Sequence, residues 1–339
     1  TGGVARPGRR ATGLLLAAAV TALGAAVALS HRSGPRPEGA APPYVYEVQA
    51  EAVASTDAAT LAALLPGARL ESVLLRAEGA ERPLASGVEA VAETGERVLL
   101  GWTPATDPPP VLRREVRPEV ELRLVEAMRE HLPAGSTVLA MPETSRRLAH
   151  FVPAAWPLAT TERPLLLPGP LGDRRNEAAA IESARFGGGA DEAAGDFEGF
   201  LDALLVEDVH GAARLRVLAG TGDAYVLVHL HDAFELGMIR EGSLPMARRD
   251  FNSGAFSHDL AREAKAEVVQ SGYAGYAIDR SPNGRLRGHF LIEARDTASL
   301  IGQLLPFNTS RLGEVPGLTL VFQTGGYWLY RIAPVEVAG

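Results

Sequence analysis

The chain has 339 residues, 46% hydrophobic and 22% charged, with 33 basic against 41 acidic side chains, enough apolar material for one or two folded domains. It contains no Cys, which excludes disulfides, thiolate metal sites, Cys nucleophiles and C-x-x-C-H haem attachment. Lys265 is its single lysine, so a G-K-[ST] phosphate loop and most Schiff-base chemistry are excluded too.

Residues 1–10 carry Arg6, Arg9 and Arg10, and 11–30 contain Gly13–Leu29, an uncharged and mostly apolar run. As a helix this run spans roughly 25 Å at about 1.5 Å per residue, close to a hydrocarbon core of about 30 Å. The arginines ahead of it predict a cytoplasmic basic segment, a transmembrane anchor, and a main domain in the periplasm of a bacterium, single-pass through the inner membrane. Ala26-Val27-Ala28 also has the A-x-A form of a cleavage site, so a cleaved signal peptide is the second reading. Either way the main domain is exported. His31–Pro43 is rich in Pro, Gly and charge and reads as a linker.

Charge divides along the chain. The first 43 residues hold five Arg and one Glu, which leaves 28 basic against 40 acidic side chains beyond them, net −12. Such a surface repels nucleic acid and anionic lipid, and suits a basic protein surface.

Residues 44–104 predict a small α+β subdomain. "YVYEVQAEAV" alternates as a half-buried strand, and Ser55 or Thr56 caps a short helix that Pro66-Gly67 stops. "RLESVLLRAEG" and "ERVLLGW" supply further strands. Thr103–Pro110, with four prolines, marks a boundary.

Residues 118–334 predict a larger α/β domain with a mixed sheet. Leu122, Val125, Met128 and Leu132 form one helical face, with Pro118 in the first turn and Pro133 at the end. "GSTVLAM" reads as a buried strand, after which Pro142 turns the chain into a helix capped by Thr144 or Ser145. "RRNEAAAIESARF" and "DFEGFLDALL" read as helices, and the glycines between them, within Ala184–Gly195, as a surface loop. "DAYVLVHL" is a buried strand. "SHDLAREAKAEVVQSG" is a helix with Ser257 as cap and Gly272 as stop. "YAGYAID" and "GHFLIE" are strands, joined by a turn from Asp279 that needs no functional account, and "TASLIGQLL" is a helix. "LTLVFQTGGYWLYRI" is a hairpin turning at Gly325-Gly326, where paired glycines accept positive φ. Its Tyr327, Trp328 and Tyr330 read as seals of a core edge.

Two places offer chemistry. His229 and His231, at i and i+2 on a strand, project from one face with Asp232 directly after. With Glu235, His258 or His289 they could hold a single Zn or Cu, act in acid–base catalysis, or sit hydrogen-bonded at the polar end of a core strand. The third reading fits the apolar run before them best, and no cofactor is expected. The other place is Glu143–Arg147, which follows a strand of the sheet; in open α/β sheets, ligands bind beyond strand carboxyl ends. A plain helix start is the simpler account of it, and no G-x-S-x-G elbow surrounds Ser145.

"VLLGWTP" at Val98–Pro104, "HDAFELGMI" at His231–Ile239, "GQLLPF" at Gly302–Phe307 and "QTGGYWLYRI" at Gln323–Ile332 give the chain its family character. Through them it resembles the hydroxylamine oxidation protein HaoB family. A fainter similarity links it to the soluble domains of membrane oligosaccharyltransferases. The HaoB resemblance implies a membrane-anchored periplasmic accessory protein of hydroxylamine oxidation, in ammonia-oxidising and some methane-oxidising bacteria. Its implied role is to dock, tether or assemble the multihaem hydroxylamine oxidoreductase, with that enzyme or its cytochrome acceptor as partner. The resemblance transfers no catalytic residue. The rival readings are a metal-dependent enzyme acting on a small nitrogen compound through His229/His231, and a glycan-handling domain.

Overall fold

A computed structural model describes residues 42–49, 55–77, 79–105, 113–161, 174–187, 194–251, 257–280, 286–307 and 314–334. The basic segment 1–10, the apolar run 11–30 and the linker as far as residue 41 lie outside these, as do residues 188–193 of the glycine loop and the turn 281–285. Among the described residues, no helix is long and apolar enough to cross a membrane.

The first sheet is an antiparallel meander, β1 (Tyr44–Val48), β2 (Arg69–Ala77), β3 (Ala85–Val91) and β4 (Arg97–Pro104). Helix α1 (Thr56–Ala63) follows β1, and Ser55 caps it by accepting from the Ala58 N–H at 3.2 Å. Strand β3 was not among the sequence expectations. Its Ser, Gly and Glu dilute the apolar alternation, and pairing on both sides forms it instead.

The central sheet has the order β10-β11-β6-β5. Strand β5 (Thr137–Leu139) runs parallel to β6 (Ala224–His229), and the hairpin β10 (Leu318–Thr324) and β11 (Tyr327–Ile332) adds antiparallel to β6. Strand β6 is apolar on both faces, as expected of a strand covered from two sides. Val226 and Val228 face a core with α5 (Ala194–Leu205), α6 (Asp208–Ala219) and α9 (Leu300–Leu304). Tyr225 and Leu227 face α2 (Pro118–His131) and α3 (Pro142–Ala149) on the other side. Val98 and Leu100 of β4 enter that second core too, so the small sheet shares a core with the larger unit. Across its other face, α4 (Arg175–Phe186) packs Ala178 against Leu75 and Trp102.

A third sheet, β7-β9-β8, is antiparallel: β7 (Met246–Phe251), β8 (Gly275–Arg280) and β9 (Leu286–Leu291). Helix α8 (Ser257–Ser271) packs on one face through Leu260 and Ala264, and Gly272 at φ 72° ends it as the sequence predicts.

Three local expectations need correction. The core face of α2 is Val120, Leu124, Val125 and Met128, with Glu121 also turned inward, while Leu122 is only half-buried. The helix carries two overlapping apolar stripes, and a partner for Glu121 selects between them. Helix α3 begins with Pro142 at its first position, so Thr144 and Ser145 lie inside it rather than capping it. Most important, the strand stops at His229, and His231 belongs to helix α7 (Leu230–Ile239), so the two histidines do not share a strand face.

Candidate functional site

The carboxyl ends of β5 and β6 lead into α3 and α7, the place where the sheet rule predicts a crevice. A cleft of about 440 Å³ opens there. Its walls come from Arg113–Arg117, the start of α7, the hairpin turn Gly325-Gly326 and the polar end of the β7-β9-β8 sheet.

A buried ion cluster underlies one wall. Arg147 grips Glu121 through both edges of its fork, Nε to Oε2 at 2.8 Å and Nη2 to Oε1 at 3.3 Å, and both side chains are nearly sealed from water. The Tyr327 hydroxyl donates to Glu121 Oε1 at 2.5 Å and accepts from Arg147 Nη2 at 3.0 Å and from Arg114 Nη2 at 2.5 Å. Arg114 also donates to Thr144 Oγ1 at 3.1 Å and lies 4.7 Å over the Tyr327 ring. Burial alone would raise the Glu121 carboxyl, but Arg147 and Arg114 outweigh it and hold the group below the usual carboxylate range. Burial, reinforced by Glu121, keeps the Tyr327 phenol protonated. Two guanidiniums thus share one carboxylate, and the cluster keeps a net positive charge. Tyr327 therefore does more than seal a core edge, whereas Tyr330 donates to the Leu304 carbonyl and does pack in the core.

Next to this cluster, Arg113 pairs with Glu143 at 3.1 Å and with Glu182, which also accepts from the hydroxyls of Tyr44 and Tyr46 at 2.8 and 2.7 Å. These bonds tie the small sheet and α4 to the segment that enters the cleft.

The His229/His231 stretch is a helix cap. His229 Nδ1 accepts from the His231 N–H at 3.0 Å, and the Asp232 carboxylate accepts from the His229 N–H at 2.8 Å. This is the reciprocal capping box of S/T-x-x-E with His and Asp in the two roles. The His229 Nε2 side abuts the hairpin turn, where a Cβ on Gly326 would fall 2.6 Å from it. His231 Nε2 lies 3.3 Å from Glu235. Burial first, then Arg114, pushes the His229 imidazole well below the usual histidine range. Burial lowers His231 too, with Arg248 and Arg114 adding to it and Glu235 opposing it. Both rings are neutral at pH 7.

The third sheet supplies the far wall. His289 Nε2 lies 3.1 Å from Asp279, so the start of the predicted turn does border the site. Arg287 grips Asp250 with Nε at 2.7 Å and Nη2 at 3.3 Å. Arg248 stacks 3.3 Å over the Phe234 ring, and burial lowers its guanidinium to about 10.

The structure thus brings His229, His231 and His289 to one cleft, while Asp232 and Glu235 serve the cap and the His231 contact. The side chain of His258 lies outside those described. Among the described residues, no group of three or more His, Asp or Glu is placed to hold a metal ion. Sequence reasoning missed Arg114, Glu121 and Arg248, whereas Arg147 lies within the Glu143–Arg147 segment that it singled out. An Arg-Arg pair at 113–114 and another at 248–249 were the visible signals, but arginine pairs are common on solvated faces.

No curated protein and no solved structure matches the sequence. A family model described as HaoA-associated protein HaoB matches residues 8–332, almost the entire chain, and the chain belongs to that family.

Proposed function

We propose that this chain is a docking and tethering protein of hydroxylamine oxidation. It binds HaoA, the multihaem hydroxylamine oxidoreductase, or that enzyme's cytochrome acceptor, and holds it near the periplasmic face of the membrane. The observation that carries this reading is the match of residues 8–332 to a family described by its association with HaoA.

Three features support it. The chain has no Cys with which to attach c-type haem, so a part in this chemistry rests on contact with a redox protein. Glu121 and Asp250, carboxylates suited to acid–base work, are gripped by Arg147 and Arg287 and serve the architecture. Residues 44–339 carry a net charge of −12, which steers a basic patch on a partner into contact. The Gly13–Leu29 run would add an anchor, raising the partner's local concentration at the membrane. The test is affinity capture of the tagged full chain from native membranes, with mass spectrometry of what co-purifies. The oxidoreductase or its cytochrome should dominate, and their absence from the captured set contradicts the reading.

A further inference from the structure

The cleft holds two arginines, Arg114 and Arg248, that make no direct ion pair with a carboxylate among the described residues. Arg113, Arg147 and Arg287, on or beside the same walls, each pair with an acid. Arg114 is buried, and among the described residues it hydrogen-bonds only through Nη2, to a hydroxyl of Thr144 and the hydroxyl of Tyr327. Arg248 is held flat against Phe234, and its buried Nε and Nη2 find no acceptor among the described residues. Nε and Nη2 form the fork edge with which Arg147 and Arg287 grip their carboxylates. Across the β7-β9 pair, the buried ring of His289 also has a nitrogen, Nδ1, with no partner among the described residues.

A buried guanidinium edge without an acceptor is costly, and charged groups left so collect where a ligand binds. Asp279 and Asp250 act on Arg248, and Glu121 on Arg114, only from a distance; among the described residues no acid forms an ion pair with either arginine. Arg114, Arg248 and His231 line the same cleft. The backbone at the start of α7 contributes little, because Leu230 N–H donates to the Gly326 carbonyl and His231 N–H to His229. Recognition therefore falls to the guanidiniums.

We propose that the cleft binds a small oxyanion, a carboxylate or a phosphate, between Arg114 and Arg248. A volume of about 440 Å³ lies within the range of small-molecule sites, roughly 300–1,000 Å³, and exceeds what a bare inorganic ion fills. Leu230, Ile278 and Trp328 on the walls offer apolar contact to a short organic body behind the charged head. The site needs no partner protein and stands apart from the docking role.

Titration calorimetry of the full chain tests this, with succinate and inorganic phosphate as separate probes and chloride holding ionic strength constant. One saturable site for either probe is expected, and the probe that binds identifies the head group. Arg248→Gln should weaken binding at least tenfold, the loss of about one charge-assisted hydrogen bond. Arg114→Gln should do likewise. Arg262→Gln, at an exposed position on α8, should leave binding unchanged. Among the described residues Arg248 has no hydrogen bond to lose, so that variant decides the matter even if Arg114→Gln disturbs Tyr327; circular dichroism confirms its fold. No saturable binding of either anion, or equal affinity in the Arg248→Gln variant, overturns the proposal.

Discussion

Replacing Glu121 by Gln keeps the shape of the buried cluster and removes its single negative charge. Arg147 would then keep its fork against an amide whose NH2 group repels it, and Arg114 would stand beside it, two buried cations without the carboxylate they share. Glu121 and Arg147 are each about 4% exposed, so solvent screens little of this. Breaking a buried pair on one side costs about 3–5 kcal/mol. The bidentate geometry and the added Tyr327 hydroxyl place this pair at the upper part of that range. Removing both charges, as in Glu121→Gln/Arg147→Met, leaves no orphaned partner in the pair and should cost less than Glu121→Gln alone. The assay is urea unfolding of the full chain and the variants, read by tryptophan fluorescence and near-ultraviolet circular dichroism. A loss below about 1 kcal/mol for Glu121→Gln, or a double variant that simply sums the singles, would refute the coupling argument.

The lowered histidines predict a pH dependence. His229 and His231 bind protons less readily folded than unfolded, so their contribution is complete above about pH 6.5 and declines as pH falls below it. The slope is at most about 1.4 kcal/mol per pH unit for each ring, and His229→Asn, which keeps an N-cap acceptor, should reduce it; an unchanged slope in that variant contradicts the assignment. Gly326→Ala would force φ near 92° on an alanine and set its Cβ 2.6 Å from the capping imidazole, so a loss of about 2 kcal/mol or more is expected in thermal unfolding. Because His229 Nδ1 and Asp232 are spent on the cap, elemental analysis of protein purified without chelator should give well under one metal per chain. Stoichiometric zinc or copper that disappears in the His229→Ala/His231→Ala variant would instead make them ligands.

Much of the fold was legible because its signals are local. The double-sided apolar run of β6, the Gly325-Gly326 turn and the Gly272 stop each depend on a few neighbouring residues, and each stands where the sequence places it. The site was not. Glu121 meets Arg147 across 26 residues and Tyr327 across 206, and no spacing in sequence announces either contact. The short helix α7 was hidden for another reason. An apolar run entering His-Leu-His reads as strand continuation, and only the Asp232 carboxylate turning back to the His229 N–H converts it into a helix start. Asp232 was thus visible as a candidate residue, but its role was backbone capping. The location of the cleft was legible in outline, since the carboxyl-end rule pointed to Glu143–Arg147, whose Thr144 and Arg147 brace the cluster below it.

The central claim is contact with HaoA, and direct binding between purified components tests it most directly. The full chain, immobilised, is exposed to purified hydroxylamine oxidoreductase and, separately, to its cytochrome acceptor at about 0.1 M and 1 M salt. Between these the Debye length falls from about 10 Å to about 3 Å. The account predicts saturable binding to at least one of the two, weaker at high salt because an acidic surface steers the encounter. No binding to either protein at either salt concentration would contradict it.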